Sequence, residues 1–277
     1  MWRIHMSRNI FVKEYSMIDT HAHLYLSNQP MPQLLQQAQS AGVTGIINVA
    51  TNLQNARLIM AQATDPTLAK QYRMTGEGFW LAATAGVHPC EESVPDDWLT
   101  QLEACLADER VVAIGETGLD LARSKVPLGV QLLRLRGHFE LARKWGLPVI
   151  LHCREAAIPF REAVMGWDDV VKIFHCFSED EAFIQAVDSK LTYYSFTANI
   201  TYETSMNSRQ AVRRLPLNRC MLETDMPYLV PSLHKGKPNQ SAYIGEVAHE
   251  MARIKGVSFD EVVATTTMVA NRVYVRR

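Results

Sequence analysis

Short apolar runs rich in β-branched residues recur eight times along the chain, each followed by a polar or helix-patterned segment. This alternation constrains the fold more than any other feature, because repeated βα units build a parallel sheet covered by helices. The runs occupy 17–19, 45–50, 79–85, 111–115, 148–151, 170–174, 191–196 and 220–223. Helical spacing of apolar residues marks 32–41, 53–63, 98–106 and 130–145 between them, and two further helices are expected at 243–255 and 258–272. A run such as 149–151 is apolar without alternation, as expected of a strand covered on both faces. Eight βα units in about 260 residues predict a single-domain TIM (β/α)8 barrel over 17–277. A doubly wound open sheet is the second architecture compatible with the pattern. Residues 1–16 are polar and charged and lack the apolar core of a signal peptide, so they read as an N-terminal tail or an alternative start.

Composition narrows the function classes. Among 277 residues, 28 Lys and Arg face 29 Asp and Glu, a net charge of -1. The chain therefore lacks the global basic field of a protein that coats long nucleic acid. With 47% hydrophobic and 21% charged residues, disorder, collagen and coiled coil are excluded. No apolar run reaches the ~18 residues of a membrane span. Five scattered cysteines (Cys90, Cys105, Cys153, Cys176, Cys220) form no CxxC pair, which points to reduced thiols and a cytoplasmic location.

Of the nine histidines, His21, His23, His88, His152 and His175 fall at or just beyond the ends of expected strands. Glu116 and Asp225 sit in equivalent positions. In a barrel those positions share the active-site face. His21 and His23 are two residues apart, and on an extended chain that spacing directs both imidazoles to one side. His152 and His175 add nitrogen ligands, and Glu116 and Asp225 add carboxylates, a set suited to Zn²⁺, Mn²⁺ or Mg²⁺. Six ligands exceed one tetrahedral site and suffice for two ions when a carboxylate bridges them, the usual device for phosphate ester hydrolysis. Cys153 and Cys176 follow ligand histidines, but strand alternation turns them toward the helices as small buried hydrophobes. Ser178 and Thr224 have no base beside them in sequence, and neither a GxSxG elbow nor a phosphate-binding glycine loop occurs.

The same residues stand in six phrases that together resemble the TatD family of metal-dependent hydrolases. The phrases are Ile18-Asp19-Thr20-His21-Ala22-His23-Leu24, Gly86-Val87-His88-Pro89, Gly115-Glu116-Thr117-Gly118-Leu119-Asp120, Leu147-Pro148-Val149-Ile150-Leu151-His152-Cys153-Arg154, Phe174-His175-Cys176-Phe177-Ser178 and Leu222-Glu223-Thr224-Asp225-Met226-Pro227-Tyr228-Leu229. The resemblance implies a TIM barrel of the amidohydrolase superfamily and a 3'-5' exonuclease supported by divalent ions. It also implies that His21, His23 and Asp225 hold one ion, that His152 and His175 hold a second, and that Glu116 bridges them. Three departures concern the rim. Glu179 replaces the family's usual Gly, Leu121-Ala122-Arg123 replaces an aromatic-rich stretch, and Lys237-Pro238-Asn239-Gln240 replaces an Arg-Asn-Glu-Pro-like one.

The expected chemistry is attack on phosphorus by a metal-activated water, with Asp225 orienting and deprotonating it. His88 is expected outside the ligand set, donating to a phosphate oxygen. Arg154 is two residues beyond His152 and can hold phosphate bidentately, and Lys237, with Lys235, follows the eighth strand. Arg134, Arg136, Arg143 and Lys144 on the 130–145 helix read as a solvated outer face. A Glu179 carboxylate facing the substrate path would repel successive phosphates and favour short ends. Two other functions are compatible with the ligands: an amide, ester or lactone hydrolase, and a noncatalytic barrel partner in a nucleic-acid-processing complex. The near-neutral charge suits nucleic-acid ends or a small phosphodiester better than long duplex.

Overall fold

The computed structural model describes residues 16–62, 64–65, 67–68 and 79–274. The tail proper, residues 1–15, and Ala63 at the end of an expected helix lie outside the described residues. Eight parallel strands follow one another in chain order around the sheet: β1 (Met17–Ala22), β2 (Val43–Asn48), β3 (Trp80–Ala85), β4 (Val111–Asp120), β5 (Val149–Arg154), β6 (Lys172–Phe174), β7 (Thr192–Phe196) and β8 (Cys220–Leu222). The helices are α1 (Met31–Ser40), α2 (Leu53–Gln62), α3 (Trp98–Leu106), α4 (Leu128–Trp145), α5 (Ala157–Ala163), α6 (Glu181–Val187), α7 (Met206–Arg214), α8 (Ile244–Lys255) and α9 (Phe259–Val273). The fold is the TIM barrel, and the doubly wound alternative, whose strand order would reverse, is excluded by this order.

The seam between β8 and β1 is closed by individual bonds rather than a long ladder. Thr20 Oγ1 donates to Leu222 O at 2.9 Å, Asp225 N–H to His21 O at 2.8 Å, and His23 N–H to Met226 O at 2.8 Å. The buried Asp19 carboxylate accepts from the Thr224 amide at 2.9 Å and its hydroxyl at 2.5 Å. Ile18, Ile47, Val112, Ile150, Ile173 and Met221 pack in one buried cluster with Val269, Val273 and Tyr274 of the α9 end. Helix α9 thus closes the N-terminal end of the barrel, and Tyr274 Oη reaches Thr20 O at 3.4 Å.

β4 corrects the sequence expectation, which ended this strand at Gly115. It continues to Asp120, so Glu116 lies inside the strand rather than after it. The glycines are the reason. Gly115 and Gly118 adopt φ of 141° and 148°, and a Cβ on Gly118 would stand 1.9 Å from His152 O. Glycine here is what lets β4 press against β5, not a strand terminator. β1 and β5 also run further than expected, taking His21 and His152 into their last residues.

Candidate metal centre

Strand periodicity carries the core face into the barrel mouth. Ile150 and His152 share one face of β5, as Ile173 and His175 share that of β6. β1 is irregular between Asp19 and Ala22, and there His21 joins the mouth with His23.

Two sets of donor atoms result. In the first, His21 Nε2 and His23 Nε2 are 3.2 Å apart, His23 Nε2 is 3.4 Å from Asp225 Oδ1, and His21 Nε2 is 3.8 Å from the same oxygen. In the second, Glu116 Oε1 is 2.8 Å from His152 Nδ1 and 2.8 Å from His175 Nε2, and those nitrogens are 3.3 Å apart. Glu116 belongs to both sets, because its other oxygen, Oε2, lies 3.5 Å from His21 Nε2 and 3.8 Å from His23 Nε2. All six residues the sequence nominated as ligands are brought together.

Two of the four ligand histidines have their tautomers fixed from outside the sets. His23 Nδ1–H donates to Val49 O at 2.8 Å, which aims Nε2 at its set, where it bonds Asp225 when protonated and can ligate when neutral. His152 Nε2–H donates to Asp120 Oδ2 at 2.9 Å, which turns Nδ1 inward. Asp120 is itself held by the amides of Ala122 at 2.9 Å and Arg123 at 2.7 Å. A carboxylate behind an imidazole raises its basicity and fixes its ring, as behind metal-ligating histidines.

The donor set fits divalent ions. Atoms ~2.1 Å from a shared ion stand about 3.0–3.4 Å from one another, and the donor atoms of the two sets, 2.8–3.8 Å apart, bracket that spacing. Without an ion the site holds its charge by pairing. Burial favours the neutral acid, but the neighbouring His175 charge and the hydrogen bonds from His152 and His175 hold Glu116 well below the usual carboxylate range. His175 is disfavoured as a cation by burial, yet the Glu116 charge and hydrogen bond raise its pKa well above the ordinary value. Burial would likewise raise Asp225, and the His23 hydrogen bond with the His21 and His175 charges brings it down. Burial lowers His21.

His88 comes closer than the sequence expected, with Nε2 3.5 Å from Glu116 Oε1 and its ring 4.5 Å from that of His152. Its Nδ1 accepts the Cys90 amide at 3.1 Å, so Nε2 carries the proton of the neutral ring and points inward as a donor. Arg154 and Lys237 are both exposed, and neither makes an ion pair among the described residues. Glu179 is half-buried and accepts from Cys153 Sγ at 3.7 Å; burial pushes its carboxyl up. The structure therefore turns this carboxylate toward Cys153 and not into open solvent. All five cysteines are free thiols, and none joins a metal-compatible group among the described residues. On α4, Arg136 pairs with Glu140, Arg143 with Asp169 and Lys144 with Glu103, which places this basic run on the outer face.

Sequence reasoning missed four supporting residues. Besides Asp120, Glu223 accepts from the Cys176 amide at 2.5 Å and from the Ser195 hydroxyl, and lies 3.6 Å from His175 Nδ1. Asp19 ties the seam beneath His21, its pKa raised to about 6 by burial. His138 of α4 accepts the Val87 amide at 3.0 Å and donates from Nδ1 to Arg134 O at 2.6 Å, which fixes the turn carrying His88. Asp19, Asp120 and Glu223 stood in the quoted phrases; nothing in the sequence marked His138.

Known proteins similar to this chain include metal-dependent hydrolases. The chain is 33% identical over 261 residues to the metal-dependent hydrolase YcfH of Escherichia coli K12, covering 91% of this chain and 92% of that protein. It is 34% identical over 231 residues to the 3'-5' ssDNA/RNA exonuclease TatD of Edwardsiella piscicida, covering 80% and 85%. The crystal structure of YJJV, a TatD homologue from Escherichia coli K12, superposes with a TM-score of 0.80 at 28% identity, covering 93% of this chain and 97% of that one. The TatD related DNase family matches residues 18–275, and this chain belongs to it.

Proposed function

We propose that this chain is a binuclear metal-dependent phosphodiesterase that removes nucleotides from single-stranded nucleic-acid ends in the 3'-5' direction. The observation that carries the reading is Glu116, whose two oxygens face two separate imidazole sets. His21, His23 and Asp225 would hold one divalent ion (Mg²⁺, Mn²⁺ or Zn²⁺), His152 and His175 a second, and Glu116 would bridge them. When bound, such ions acidify water and offset charge on phosphoryl oxygens. The activity named for the Edwardsiella piscicida relative supports the substrate class.

The chain's own groups supply positioning and proton transfer. Asp225, at the edge of the buried site, accepts a proton from the attacking water and holds its direction. His88 Nε2–H donates to a phosphoryl oxygen as charge gathers there. Arg154 and Lys237 hold the flanking phosphate from the exposed rim. No charged surface beyond this is required, because one strand end presents few phosphates, in keeping with the net charge of -1. The free thiols fit a reducing, cytoplasmic setting, and no helix among the described residues is long and apolar enough to cross a membrane.

Turnover of single-stranded DNA and RNA oligonucleotides, alongside carboxylic ester, amide and lactone substrates, tests this directly. The expected result is stepwise 3' shortening that chelator abolishes and Asp225→Asn reduces by at least about a thousandfold. Hydrolysis confined to the carbonyl substrates would overturn the reading. So would an Asp225→Asn enzyme with wild-type rates at saturating metal.

A further inference from the structure

Two tyrosines flank the His23 ring, and they are held differently. Tyr25 stands edge-on at 6.0 Å, half-buried, with its hydroxyl 3.3 Å from Thr51 Oγ1 and accepting from Asn55 Nδ2 at 3.4 Å. It is a buttress. Tyr228 stands 6.2 Å away at 71° on the open side, 54% exposed, and its hydroxyl makes no hydrogen bond among the described residues.

The turn bearing Tyr228 is nonetheless firmly built. Tyr228 N–H donates to Asp225 O at 2.9 Å. The buried Asn239 amide donates to Thr224 O at 2.8 Å and also to Tyr228 O, and Tyr202 Oη–H donates to Val230 O at 2.9 Å. One backbone bond and the side chains of Asn239 and Tyr202 therefore fix the turn's main chain while the ring is left to solvent. Leu229 and Leu233 on the same loop are 41% and 77% exposed, so apolar surface adjoins the ring, with the exposed Lys235 and Lys237 further along the loop. Across the mouth, the exposed Arg123 and Arg154 border the Asp120–His152 pair. A strand end offers both chemistries, charge along its backbone for these cations and flat apolar bases for an exposed ring.

We infer that Tyr228 is a stacking platform for a base flanking the scissile phosphate, a specificity-determining contact that rests on the phosphodiesterase reading above. Stacking on a tyrosine face is tolerant of base identity, so the contact selects nucleic acid over other phosphodiesters without selecting sequence. It also places the adjoining phosphate near the His21, His23 and Asp225 set.

The test uses short DNA strands with fluorescent 2-aminopurine at the last or the penultimate position, protected by a phosphorothioate at the last linkage, and metal-loaded protein. Stacking on an aromatic ring quenches this base. Wild type and Tyr228→Phe should quench one of the two strands; Tyr228→Ala should not. In turnover of unprotected strands, Tyr228→Ala should raise KM about tenfold with kcat within about twofold, and that increase should vanish for strands whose flanking bases are replaced by abasic sites. Equal quenching by Tyr228→Ala and wild type would overturn the platform, as would a KM change that persists on abasic strands. The two readings fail separately: quenching without any cleavage of unprotected strands removes the phosphodiesterase and leaves the platform, whereas cleavage with unaltered quenching does the reverse.

Discussion

The two walls of the barrel mouth are built by different means. On the β1–β8 wall, His21, His23 and Asp225 are held mainly by backbone: Asp225 N–H to His21 O, His23 N–H to Met226 O and His23 Nδ1–H to Val49 O, each at 2.8 Å. On the β4–β6 wall carboxylates stand behind the rings: His152 Nε2–H donates to Asp120 Oδ2 at 2.9 Å, and Glu223 lies 3.6 Å from His175 Nδ1. Backbone props are insensitive to charge and to most substitutions, whereas carboxylate props set both ring orientation and basicity. In the proposed two-ion site the first wall would fix geometry and the second would tune affinity, with Glu116 joining them.

Removing the charge of Asp120 should break the symmetry most sharply. Asp120→Asn is expected to weaken the ion held by His152 and His175 by about 10–100-fold, with the His21, His23 and Asp225 ion unchanged. Titration with Mn²⁺ or Zn²⁺ against a chromophoric chelator reads both affinities, and equal weakening at the two sites would erase the distinction between the walls.

A smaller effect comes from His138, which props the His88 turn beside the second wall. Burial lowers its pKa from 6.5 to about 4, so the unfolded chain takes up a proton that the folded chain refuses. Its contribution is intact above pH ~6.5 and is lost as pH falls toward ~4, by about 3 kcal/mol at most. Urea unfolding should show wild-type stability falling across that window, and His138→Gln should be less stable at pH 8 but fall less steeply. Parallel pH profiles for the two proteins would show that His138 is not the titrating prop.

Legibility in the sequence follows the same division. The β1–β8 wall was readable because His21 and His23 are neighbours in a period-two pattern, and the eightfold alternation announced the barrel. Helices α5, α6 and α7 went unmarked: seven residues in α5 and α6 make barely two turns, too few to display a period, and α7 buries only Ser208, Ala211 and Val212, which leaves no apolar stripe to read. Asp120 went unread as the partner of His152 because that contact depends on register, with Asp120 opposite Arg154 across the β4–β5 ladder. The misplaced end of β4 had a related cause: a glycine reads locally as a stop, and only the neighbouring strand shows that it permits close approach.

The central claim, that Glu116 unites two ion sites, is tested most directly by counting metal in the purified protein by inductively coupled plasma mass spectrometry. Two ions per fully active chain are expected, with one remaining in His152→Ala. A fully active wild type holding a single ion would contradict the account.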